Sequence, residues 1–307
     1  MSNCSANVPR GHQFAIADYG SASGAAFTRR LACSRFGFKG VTNTVEDDGI
    51  ADSLWPQAEG EIISQELVTG PMVLNPRAAD LQAICLCLFG DGAFAVNVKD
   101  PGNICNYFQV GHSDPVQDQI YRYNNCVTSS FVFSASDSSP LLNLVWNAEG
   151  QSRTILDDVD TNWPALALST QQPFVLRQAV LTFDGAATRL KSFSAGGNHN
   201  LQLTDFYNSL NRVEMPVSQS DYTFEFELPW DATTEGDRIG TAQDISATLN
   251  FVSGTKRIQF EWPKLFLIVD EPEIAGRNRI HNRYACKAKH DPANAIPFPI
   301  RITVVVA

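Results

Sequence analysis

The chain has little positive charge to spare, no long apolar run, no clustered histidines and no recognisable reaction centre, and each absence removes a class of function. Thirty-three acidic against 23 basic residues leave a formal charge of -10, which disfavours any affinity built on neutralising phosphates. Transient contact with DNA is a separate matter, because a surface that must let DNA pass should avoid binding it tightly, and charge alone does not show passage. No segment approaches the ~20 apolar residues of a membrane span, and no membrane partner is expected. The start, MSNCSANVPRGHQF, lacks the basic region, apolar core and small-residue cleavage site of a secretory signal, so a protein made and kept in the cytosol is the expectation.

Seven cysteines are an odd number scattered through 307 residues, unlike the dense framework of a small secreted domain, so free thiols are expected. Cys85 and Cys87 fall within one helical pattern and diverge by roughly two hundred degrees, which suits core packing of Cys85 better than a zinc site. His12, His112, His199, His281 and His290 show no metal spacing. DDVD lacks the alternating ligands, glycine and terminal glutamate of a calcium loop. The glycines of FGDGAF follow a helix rather than open one and read as a stop, not a phosphate cradle. No nucleophile elbow, phosphate loop or kinase signature occurs. No catalytic residue, cofactor or metal is assigned, and the chain reads as no enzyme.

What is present is strand. A composition of 44% hydrophobic and 18% charged residues is that of an ordered globular protein, able to bury about three quarters of its unfolded surface. In GEIISQELVTGPMVLNPRAADLQAICLCLFGDG, residues 60 to 92, an alternating strand runs into the one well-marked helix, placed at 76–89. Ala78, Leu81, Cys85 and Leu88 share a face; Asn75 is positioned to cap, Pro76 to open the first turn and Gly90 to let the chain leave. The clearest strand is DYTFEFEL, with Tyr222, Phe224, Phe226 and Leu228 on one side and Thr223, Glu225 and Glu227 on the other. A short helix is expected over TTEGDRIGTAQDI.

The predicted architecture is mainly β, a β-sandwich or barrel flanked by a helix, with an echo of one element order in the two halves that would make two pseudo-repeated units. Residues 1–58 read as an N-terminal arm and long loop, 59–150 as a first β-sandwich unit, 151–172 as a linker and 173–307 as a second β-rich unit. Of the charged residues, Asp47 and Asp48 in the loop from Phe36 to Gly60, and Arg277, Arg279 and Arg283 in GRNRIHNR, are the candidates for contacts between subunits. A solvated edge strand protected by charge explains the basic run equally well.

Four segments resemble the tail tube proteins, or major tail proteins, of long-tailed bacteriophages: GEIISQELVTGPMVLNPRAADLQAICLCLFG, ICNYFQVGHSDPVQDQIYRYNNCVTSSFVFSAS, PFVLRQAVLTFDGAATRLKSFSAGGNHNL and RIQFEWPKLFLIVDEPEIAGRNRIHNRYACKAKH. The likeness lies in order and spacing and covers most of residues 29 to 307. It implies a structural protein of the virion tail that assembles with itself into stacked rings, as a hexamer or a pseudo-hexameric trimer. It also implies contacts with tape measure and terminator proteins and a channel for DNA. The alternative is a β-sandwich carbohydrate-binding or receptor-binding module, an adhesin or fibre, using Trp55, Trp163 and Trp230. A hydrolase on a β scaffold ranks below both.

Overall fold

A computed structural model describes residues 12–46, 61–90, 97–102, 104, 106–157, 159–229, 242–268 and 281–306. Strands β1 (Gln13–Ile16), β2 (Arg29–Leu31), β3 (Cys33–Phe36), β4 (Lys39–Glu46) and β5 (Glu61–Leu74) precede helix α1 (Ala78–Phe89). There follow β6 (Val98–Lys99), β7 (Phe108–Asp114), β8 (Gln119–Ser136), β9 (Asn143–Gly150), β10 (Ser152–Asp157) and the single turn α2 (Val159–Asn162). The remaining strands are β11 (Ala179–Phe183), β12 (Ala186–Thr188), β13 (Ser192–Asn198), β14 (Asp221–Pro229), β15 (Ala242–Ser253), β16 (Lys256–Ile268), β17 (His281–Ala288) and β18 (Arg301–Val305). The protein is mainly β, as the alternation predicts.

Every pairing between these strands is antiparallel. One run of neighbours, β5-β9-β8-β13-β14-β17, forms a continuous sheet. Its inner face packs on β11, β15 and β16 through aromatic pairs. Phe133 meets Phe260 at 5.2 Å between ring centres, Phe224 meets Trp262 at 3.9 Å, and Phe183 meets Phe226 at 4.9 Å. These rings are buried, and the alternation along β14 is the reason Tyr222, Phe224, Phe226 and Leu228 share one covered face. The first part of β8 leaves this sheet for a smaller one, β2-β1-β7-β8-β10.

Helix α1 is enclosed against β8, β16 and β18, with Leu81, Ile84, Cys85, Cys87 and Leu88 buried. Burial of Cys85 agrees with the sequence; its start does not. The helix begins at Ala78, two residues after the predicted position, and its N-cap is Arg77, without a side-chain cap. Asn75 instead donates to the Leu142 carbonyl at 3.1 Å, and the free amide of Ala79 is satisfied by the Gln171 side chain at 3.0 Å. A local cap was displaced by a partner 92 positions away, which no local pattern reveals. At the other end Gly90 adopts φ 72° as expected. The last-turn carbonyls are met from outside: Thr128 donates to Cys87 at 2.7 Å, and the His199 ring to Leu88 at 2.7 Å.

Three further segments differ from their expected form. Residues 39–46, read as loop, form β4 and pair with β5 from Lys39↔Thr69 to Glu46↔Glu61; Val41, Thr42, Thr44 and Val45 are β-branched, and Gly40 and Asn43 masked that pattern. Residues 152–157, inside the segment read as linker, form β10 on the edge of β8, where one exposed side removes the alternation. Residues 242–245, read as helix, begin β15. The rest of that predicted helix lies outside the described residues.

Candidate functional site

The outer face of the continuous sheet is where the fold presents its most uniform chemistry. The pleat that buries the aromatic residues turns every second side chain outward; on β8, β13 and β14 these are mostly small or polar, while β5 and β9 also turn out Pro71, Val73 and Val145. Ser130, Ser134 and Ser136 of β8 stand opposite Asn198, Ser194 and Ser192 of β13. Those serines in turn face Glu225 and Glu227 of β14, which face Ala285 and Arg283 of β17. Gly196 fits between Val132 and Thr223. No long apolar side chain rises from these positions.

Charge on this face is matched pair by pair. Lys191 reaches Glu227 at 2.6 Å, with Ser192 donating to the other carboxylate oxygen at 3.2 Å; Lys287 meets Asp221 at 3.0 Å; Arg283 pairs with Glu225. Burial works against the ionised Glu227, but the Lys191 ammonium and the Ser192 hydroxyl outweigh it and hold its pKa below the ordinary value. Lys287 and Asn200 likewise lower that of Asp221. Such exposed pairs add little stability. They do leave these cations committed to carboxylates rather than free for phosphate.

Of the predicted contact residues, Arg283 sits on this face, exposed and paired with Glu225 within the chain. Asp47, Asp48, Arg277 and Arg279 lie outside the described residues, as do Trp55 and Trp230. Trp163 is a buried corner: its ring lies 5.1 Å from that of Phe27 and its Nε1 donates to Gln13 at 3.0 Å. The thiols of Cys33, Cys85, Cys87, Cys126 and Cys286 are free, and burial pushes Cys33, Cys85 and Cys286 up to about 12. Among the described residues no three metal-ligating side chains converge, and no helix is long and apolar enough to cross a membrane.

A second feature was not anticipated. A cavity of about 540 Å³ opens beside β3, lined by Phe14, Arg30, Arg35, Phe36 and His112 among others. The Phe14 ring stacks on Phe36 at 4.6 Å and on His112 at 5.1 Å, and His12 Nδ1 lies 2.9 Å from His112 Nε2. Burial, followed by the neighbouring His12, pushes the His112 pKa down to about 4. The signal available in sequence was the apolar alternation of Phe14 and Ile16 in QFAI and of Phe36 and Phe38 in RFGF, within a stretch read as an arm.

The sandwich, its enclosed helix and its uniform polar face can be set beside known proteins. No curated protein matches the chain. Residues 11–294 match the phage tail tube protein family, in agreement with the resemblance carried by the four segments. The chain belongs to the phage tail tube protein family, and is thus a structural component of the bacteriophage virion tail.

Proposed function

We propose that this chain closes into rings that stack as the tail tube, with the polar face of the sheet β5-β9-β8-β13-β14-β17 lining the channel through which double-stranded DNA reaches the host. The observation that carries this reading is the composition of that face on β8, β13 and β14, where serines and asparagine stand beside Asp221, Glu225 and Glu227, each paired with a cation of the same chain. DNA moving past such a wall meets cations already held by carboxylates rather than cations free to grip its phosphates.

A ring of six, or of three chains each supplying two sandwich units, suits the family, and tape measure and terminator proteins are the further tail partners. The chain is made in the host cytoplasm before assembly. The arm of β4 and β5 leading to Asp47 and Asp48 is the element assigned to contact with a neighbouring subunit or ring. Negative-stain electron microscopy of the purified protein at rising concentration tests the reading. Rings or hollow tubes are expected; dispersed particles that bind glycans would favour the adhesin alternative and overturn it.

A further inference from the structure

The two ends of the continuous sheet carry different chemistry. At one end β9 stops at Gly150, β13 at Asn198 and β17 at Ala288, while β14 starts at Asp221. Asn198 stands directly opposite Asp221, so a turn of ~2 residues would join β13 to β14. Residues 199–220 intervene instead, and they are tied down. Leu201 bridges Val217, and Val213 N donates to the Asp205 carbonyl at 3.0 Å. The loop is fixed to the body beside the end of β9. Glu66 N donates to the Leu210 carbonyl at 2.9 Å, and Arg212, 6% exposed, reaches Glu149 at 2.7 Å.

On this fixed loop Tyr207, Leu210 and Val213 are 66, 46 and 43% exposed. Tyr207 and Asn208 are held at φ 43° and 65°, an unfavourable conformation for a side chain as large as tyrosine. A loop held in such a shape, showing three large apolar side chains rather than burying them, has the form of a contact surface. The opposite end, where β8 stops at Ser136 and β9 starts at Asn143, is complementary. Its turn 137–141 carries Pro140 and Leu141, both exposed. Leu176 N donates to the Pro140 carbonyl at 2.7 Å, and Asp137 N to the Lys191 carbonyl at 3.1 Å. Arg177, next to Leu176, and Arg189, two positions before Lys191, are exposed here and outnumber the turn's one acid, Asp137. Among the described residues neither arginine forms an ion pair, and neither do Asp205 and Glu214 of the loop.

We infer that residues 204–214 of one copy seat on the turn 137–141 of the next copy along the tube. Tyr207, Leu210 and Val213 meet Pro140 and Leu141, and Asp205 and Glu214 face Arg177 and Arg189. This rests on the tube reading and gives it an axial contact. The two surfaces lie at opposite ends of the strands, so the contact is head-to-tail and adds copies in one direction without closing on itself. A second copy is the occupant that fits, because one chain supplies both the apolar tip and its apolar seat, with unpaired charges of opposite sign on the two.

Charge exchange tests the contact. Arg177→Glu with Arg189→Glu should raise the concentration needed for tube formation, read by sedimentation, by about tenfold, while single rings persist in electron micrographs. Adding Glu214→Lys to that chain should lower it again by about threefold. Leu210→Ser should weaken tubes independently by removing apolar contact. All four side chains are exposed, so thermal unfolding of each variant should match that of the parent. Tubes that form at the parent concentration in both the double-arginine and Leu210→Ser variants overturn this contact, assign the loop to another tail partner and leave the tube reading standing. A double-arginine variant that weakens tubes but gains nothing from Glu214→Lys overturns the charge pairing. A parent chain that never leaves the monomer overturns the tube reading and the contact with it.

Discussion

Replacing His199 by alanine tests how the helix is held to the sheet. The ring is 1% exposed and connects three elements: Nε2 lies 2.7 Å from the Leu88 carbonyl at the end of α1, and Nδ1 lies 2.9 Å from the Ser220 hydroxyl just before β14. A carbonyl only accepts, so Nε2 carries the proton and Nδ1 accepts from Ser220. The alanine variant leaves a last-turn carbonyl without its donor and a space between Phe131 and Tyr222, whose rings lie 6.1 and 6.2 Å from the imidazole. Loss of the bond and the packing together should cost about 3 kcal/mol, seen as a fall in melting temperature of roughly 5–10 °C. Acid gives an independent reading. Burial pushes the His199 pKa down from 6.5 to about 4, against the opposing effect of the Leu88 bond. The neutral ring thus stabilises the fold fully above pH 6.5, and that contribution disappears as pH falls toward 4. Its size is at most about 3 kcal/mol. Urea unfolding from pH 7 to pH 4 should therefore show a smaller decline for His199→Gln than for the parent, with His112 supplying the part that persists. A loss under about 1 kcal/mol in the alanine variant, or identical pH slopes, would refute the assignment.

Other expectations concern the core and the assembly. Arg301 donates twice to Asp100, at 2.6 and 2.7 Å, and the Asp100 side chain is 3% exposed. Arg301→Ala should lower stability by about 3 kcal/mol by stranding that carboxylate, and Asp100→Asn in the same chain should recover part of it in chemical denaturation. Changing Asp47 and Asp48 to lysine should weaken tube formation by sedimentation while leaving the monomer's circular dichroism unaltered; unchanged tubes remove those residues from the contact. Arginine at both Ser134 and Ser194, neighbours on the polar face, should make assembled tubes retain short duplex DNA at low salt and release it as salt rises.

Legibility in the sequence followed the locality of the cause. The alternation of Tyr222, Phe224, Phe226 and Leu228 identified β14 and both of its faces, because a two-layer packing imposes period two directly. Leu81, Cys85 and Leu88 marked the helix, and Gly90 its exit. The helix start was misplaced because Gln171 supplies what Asn75 was expected to supply. β4 was hidden by Gly40 and Asn43, and β10 by exposure at a sheet edge. The polar face was legible only in part: Thr223, Glu225 and Glu227 were read as wet, but their alignment with Ser192, Ser194 and Arg283 depends on register between strands far apart in the chain. The cavity beside β3 left only the alternation of QFAI and RFGF as a trace, since Phe14, Phe36 and His112 meet through β1, β3 and β7.

The central claim is that the sheet face bearing Ser134, Ser194 and Glu225 lines a tube. A cryo-electron microscopy reconstruction of the assembled protein, at a resolution that separates strands, addresses it most directly. The account predicts a hollow tube with these residues turned toward the axis and the Phe224–Trp262 layer behind them. A tube with this face on its outer surface, or buried in the seam between subunits, would contradict it.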